Sequence, residues 1–237
     1  MFAAPGRTTG SVSDPWAIVP AGDNPDKHDH ETNADKASAD PLDLLHPFRC
    51  LLAGKPNSGK TEVALAILAR QTKPFERVVI WHCDGEAGEY TGRGVDAEIV
   101  TECPEPTSWT SGRKEVLVID DVDLLSKARG KGWERLDRTF GFASTHRGLS
   151  IIVTCQNMVQ QIPINVRRMC NVFACWPPTD TDQLPKYARA TQQSLTTIRA
   201  LMQLVQQQGD PHAFMLVDLS GRGPMFRLNG TREVRLR

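Results

Sequence analysis

From Pro41 onward, short apolar runs alternate with segments whose apolar residues recur every three or four positions. FRCLLAG (48–54), RVVIWHC (77–83), KEVLVIDDVD (114–123), LSIIVTCQN (149–157) and NVFACW (171–176) carry consecutive rather than alternating apolar residues. That pattern predicts strands covered on both faces. DAEIVTECP (96–104) predicts a shorter strand that enters a Pro-containing loop. Between them, EVALAILARQ (62–71) and QQSLTTIRALMQLVQQ (192–207) read as helices, and a short polar helix is expected around 163–168. Trp133, Leu136, Phe140 and Ala143 share one helical face over 131–145. AFMLVDL (213–219) and then MFRLNGTREVRLR (225–237) predict a strand followed by a hairpin turning at Asn229–Gly230. Buried strands interleaved with helices imply an α/β fold, a mostly parallel central sheet flanked by helices with a C-terminal β-hairpin.

Composition sets residues 1–40 apart. They are rich in Ala, Asp, Gly, Pro, Ser and Thr, with seven acids against three bases. Such a segment lacks the apolar surface needed to offset chain ordering, and we expect an acidic disordered N-terminal tail over 1–40 and one folded domain over 41–237. WAIVP (16–20) is the apolar exception, a loop contact or docking patch. Lys+Arg and Asp+Glu are equal at 28 each, so 41–237 holds an excess of four bases, too small to identify an acidic partner. The six Cys contain no C-x-x-C pair and two sit inside apolar runs, which suits buried thiols better than a disulfide frame or zinc site. No apolar stretch approaches the ~20 residues of a membrane span, and no basic-then-apolar leader opens the chain. The expected setting is intracellular and soluble.

Gly54, Lys55, Pro56, Asn57, Ser58, Gly59, Lys60 and Thr61 match G-x-x-x-x-G-K-[ST] without a mismatch, between a predicted strand and helix. The two glycines let successive N–H groups turn inward on a phosphate, Lys60 reaches the β- and γ-phosphates, and the Thr61 hydroxyl ligates Mg²⁺. ATP and Mg²⁺ are therefore the expected ligands. Asp120 leaves the edge of an apolar run and suits the second metal contact. Asp121, directly after it, can accept a proton from an attacking water, or it and Asp123 can cap a following helix. Gln156, with Asn157 second, ends an apolar strand and can sense the γ-phosphate. A ring ATPase also needs a cation donated across a subunit boundary, for which Arg167, Arg168 and Arg147 are candidates. His28 and His30, and His82 with Cys83 and Asp84, lack metal-site spacing. Arg222, Arg227, Arg232, Arg235 and Arg237 form a polar face or contact a DNA backbone.

GKPNSGKT, VLVIDDVD and STHRGLSIIVTCQN, in this order and followed by QQIPINVRRMCNVF, resemble the genome-packaging ATPases of membrane-containing icosahedral viruses, within the FtsK–HerA superfamily. The resemblance spans roughly residues 45–177. It implies a RecA/FtsK-like P-loop NTPase of the ASCE group that packages double-stranded DNA into a preformed capsid. It further implies a pentameric or hexameric ring, contacts with capsid vertex proteins, and a place in host cytoplasm or at the virion's packaging vertex, with membrane association without a span. Lys60 and Thr61 become phosphate and Mg²⁺ contacts, Asp120 the metal acid, Asp121 the catalytic carboxylate, Gln156 the sensor and Arg167 the trans cation. The superfamily often has Glu at the position of Asp121. Alternatives are an AAA-type helicase loader or other P-loop ATPase, and a nucleotide kinase.

Overall fold

A strand that is apolar on both faces needs a layer above and a layer below, and the chain supplies both. The computed structural model describes residues 16–18, 40–128 and 131–236. Its first half runs β1 (Trp16–Ile18), β2 (Arg49–Ala53), α1 (Lys60–Ala69), β3 (Arg77–His82), α2 (Gly88–Thr91), β4 (Glu98–Val100) and β5 (Glu115–Asp120). Then come α3 (Leu124–Lys127), α4 (Lys131–Arg138), α5 (Ser144–His146), β6 (Leu149–Cys155), α6 (Met158–Gln161), α7 (Ile164–Met169) and β7 (Val172–Cys175). The chain closes with α8 (Leu184–Ala190), α9 (Leu195–Gln206), β8 (Met215–Asp218), β9 (Met225–Leu228) and β10 (Arg232–Leu236).

The strands form one sheet in the order β1-β10-β9-β8-β7-β2-β6-β5-β3-β4. From β7 to β4 every pairing is parallel, whereas β8, β9, β10 and β1 continue the sheet antiparallel. In β2, Leu51 and Ala53 belong to one core and Cys50 and Leu52 to the other. The first core takes Leu136, Phe140 and the α9 residues Ile198, Leu201 and Val205; the second takes Val63, Ala64 and Ile67 of α1. Register pairs Ala53 with both Cys155 and Cys175, and His82 with Asp120. The carboxyl ends of β2, β3, β5, β6 and β7 thus share one edge, where open sheets of this kind bind ligands.

Two local features refine the expected elements. The helix over 131–145 is interrupted by a π turn at Thr139–Ala143, which keeps Phe140 and Ala143 buried around Gly141. The hairpin turns at Asn229 and Gly230, whose φ of 52° and 67° lie in the left-handed region those two residues tolerate. Of the segment 1–40, Trp16–Ile18 add strand β1 to β10, with Trp16 opposite Leu236. Apart from these and Asp40, the predicted tail lies outside the described residues, as do His28 and His30. No helix among the described residues is long and apolar enough to cross a membrane.

Candidate functional site

The phosphate loop begins where buried β2 ends. The Ala53 carbonyl accepts from the Trp176 N–H at 3.0 Å and from the buried Tyr187 hydroxyl at 3.3 Å, and the Gly54 N–H donates to the Cys155 carbonyl at 3.1 Å. These bonds fix the loop's first residue to the strands on either side of it. A Cβ on Gly54 would stand 2.7 Å from Ser58 Oγ and 2.9 Å from the Trp176 ring, so only glycine allows this approach. Gly59 caps α1 with φ 95° and no side-chain cap bond. The N–H groups of the first helical turn are therefore left for an anion. Ser58 Oγ is buried inside the loop without a hydrogen-bond partner among the described residues. Together with the glycine cradle, that hydroxyl fits a bound phosphate.

Lys60 Nζ donates to the Lys55 carbonyl at 2.9 Å, across the mouth of its own loop. Burial pulls the Lys60 pKa down, while Cys155, Asp120 and Asp121 act in the opposite sense. A half-buried ammonium, partly stripped of water, gains more from the negative charge of a polyphosphate than an exposed one does.

Asp120, at the end of β5, is buried and held by three hydroxyls. Thr61 Oγ1 donates to its Oδ2 at 3.3 Å, Tyr90 OH donates to the same oxygen at 2.7 Å, and Thr154 Oγ1 donates to Oδ1. Thr61 and Asp120 are thus adjacent hard oxygen donors, the chemistry Mg²⁺ takes. Burial, and then the charge of Asp120, push the Tyr90 phenol far above its ordinary range, so it remains a donor. Neither Tyr90 nor Thr154 was singled out from sequence. Thr154 carried a weak signal, a hydroxyl inside an apolar run, and Tyr90 carried none. Replacing Tyr90 with Phe is expected to lower unfolding stability by about 1.5–3 kcal/mol, the range for bonds to charged groups. Urea titration at unchanged m checks this, and an unchanged midpoint would mean that the bond contributes nothing.

Asp121 is exposed with φ 53°, and its N–H donates to Thr154 Oγ1 at 3.2 Å. The hydroxyl that grips Asp120 therefore also aims the next residue out of the sheet. Asp123, not Asp121, caps α3, accepting from the N–H groups of Leu125 and Ser126. Gln156 is exposed at the tip of β6, with its N–H held by Gln161 Oε1 at 2.7 Å. Asn157 is occupied as the cap of α6, accepting from Val159 and Gln160. Gln161 is a further residue that sequence reasoning passed over; it also accepts from the Asn157 N–H at 2.8 Å and so shapes the corner that presents Gln156.

The three arginines part company. Arg167 is half-buried on α7, its Nε without a hydrogen-bond partner among the described residues, and it lines a cavity of about 230 Å³ with Arg168, Lys186 and Arg189. Arg147 lies at the opposite end of β6 from the loop, about 20 Å away by strand rise. It donates to the Trp109 carbonyl at 3.4 Å and stands over the Phe142 ring. His82 is bonded to Asp84 at 2.5 Å beside Asp120. Of the C-terminal arginines, Arg227 donates to the Pro41 carbonyl, Arg232 to Gln208 and Arg235 to Glu233, while Arg237 lies outside the described residues.

The family model described as "ATPase family associated with various cellular activities (AAA)" matches residues 50–174, which run from β2 through the phosphate loop and β5 to β7. No curated protein sequence matches the chain. Among solved structures, the genome packaging NTPase B204 from Sulfolobus turreted icosahedral virus 2, in complex with sulfate, aligns with TM-score 0.53 at 13% identity, covering 78% of this chain and 97% of that one. Its complex with ATP-gammaS gives 0.52 at 14%, covering 78% and 98%. B204, the DNA-packaging ATPase from Sulfolobus turreted icosahedral virus, gives 0.52 at 14%, covering 77% and 98%. At these identities the likeness is one of fold.

Proposed function

Because the chain belongs to the AAA family of P-loop ATPases, we propose that it is an ATP-driven translocase of double-stranded DNA that packages a viral genome into a preformed capsid. In this role residues 41–237 act as one ATPase domain of the FtsK–HerA kind. The observation that carries the hydrolytic part is the pair of acids at the end of β5, one gripped and one presented. Asp120 is buried against Thr61, and Asp121 projects to solvent one residue later. A kinase gains nothing from a carboxylate placed to activate water. The DNA and the capsid rest on the order GKPNSGKT, VLVIDDVD, STHRGLSIIVTCQN, with the B204 fold likeness in support.

Thr61 and Asp120 would hold Mg²⁺, which when bound would neutralise charge on the transferring phosphoryl group. The loop N–H groups and Lys60 bind and orient the phosphates. The Asp121 carboxylate takes the proton of the attacking water, and Gln156 holds that water or reads the γ-phosphate. Arg167 serves the site of a neighbouring subunit in a pentameric or hexameric ring. The ring sits at the capsid vertex, in host cytoplasm or in the virion, and meets the virion membrane without spanning it.

Arg167→Ala alone is expected to lower turnover by roughly 10³-fold or more, the scale of a cation supplied in trans. Mixed with Lys60→Ala subunits, it should regain activity, because some boundaries then join an intact loop to an intact arginine. Mixtures that stay inactive at every ratio would remove the trans role.

A further inference from the structure

A nucleotide held in the phosphate loop has two ends, and sheet order separates where they go. Asp120 and Gln156 lie at the ends of β5 and β6, to one side of β2. With the terminal phosphate turned toward them, the nucleoside must leave toward the other side, over β7 and β8. A cavity of about 610 Å³ lies on that side, bounded by Thr61 and Glu62 of α1 and by Asp210, His212, Phe214 and Asn229. That size is within the range of small-ligand sites.

The far wall is a built one. Trp176, which already packs under Gly54, donates its indole N–H to the His212 carbonyl at 3.0 Å, and its ring lies 4.9 Å from that of Phe214 at 31°. The Phe214 N–H donates to Asn229 Oδ1 at 2.9 Å, and the Asn229 N–H returns to the Phe214 carbonyl at 2.8 Å. The His212 N–H donates to Asp210 Oδ1 at 2.8 Å. The turn before β8 is thereby tied both to the phosphate loop's floor and to the hairpin. The His212 ring is exposed and stands 3.6 Å from where a Cβ on Gly59 would lie.

We propose that the Asp210–Phe214 turn and the Asn229–Gly230 turn form the nucleoside subsite of the ATP site, with the His212 imidazole stacked on the base. The inference rests on the ATP-site assignment and adds to it a specificity-determining wall from outside the residues matched to the family. Base stacking on a planar side chain is sequence-tolerant and contributes a tenfold order of affinity. His212 thus makes the loop prefer a nucleotide to bare polyphosphate.

Calorimetric titration of the full chain with ATPγS and with inorganic tripolyphosphate, both with Mg²⁺, tests this. His212→Ala should bind ATPγS about tenfold more weakly and tripolyphosphate as the unaltered chain does, which also reports an intact loop. His212→Phe, which keeps a stacking plane, should retain ATPγS affinity. Lys60→Ala should lose both ligands. Equal losses for both ligands in His212→Ala, or no loss for ATPγS, would overturn the subsite alone. If the unaltered chain bound neither ligand, the ATP-site assignment would fall and the subsite with it.

Discussion

Replacing Lys60 with alanine is expected to abolish detectable ATP turnover, with a loss of at least roughly 10²–10³-fold, the scale for removing one preorganised charge from a developing anion. The residue begins α1 and its ammonium reaches back to the Lys55 carbonyl, so it spans the mouth of the loop. Alanine keeps the helix start and removes only the charge and its reach. Phosphate release under steady-state conditions checks the outcome, and turnover within tenfold of the unaltered chain would remove Lys60 from the mechanism.

Asp121→Asn is expected to separate binding from chemistry. The backbone at this position has φ 53°, a conformation that Asn adopts as readily as Asp, so the loop keeps its shape and only the negative charge disappears. ATP affinity should stay within about twofold while turnover falls by roughly 10²–10⁴-fold, the contribution of a positioned general base. Single-turnover hydrolysis with a parallel binding titration distinguishes the two quantities. Normal turnover in this variant would remove Asp121 from the mechanism.

How much of this was legible in the sequence depended on whether a feature was local. The phosphate loop is eight consecutive residues whose types carry their own meaning, and Asp120 follows an apolar run that ends where a strand must end. The central strands, α1, α9 and the Asn229–Gly230 turn were readable for the same reason. The grip on Asp120 was not. Tyr90 reaches it from thirty residues away and Thr154 from thirty-four, and both contacts depend on how β3, β5 and β6 align. The π turn at Thr139–Ala143 was invisible because three-to-four spacing survives one widened turn. Helix α8 contains few large apolar residues, yet its Tyr187 anchors the Ala53 carbonyl from the same core face of the sheet. The Asn157 side chain shows the converse: a strand-end amide suits a sensor or a helix cap equally well until the following turn is seen, and here it caps α6.

Translocation of double-stranded DNA by a ring of subunits is tested most directly by measuring ATP turnover with and without linear double-stranded DNA, together with the mass of the assembly that carries the activity. A DNA translocase predicts that duplex DNA stimulates hydrolysis and that the active species contains several copies of the chain. Hydrolysis at the same rate without DNA, carried by a monomer, would contradict it.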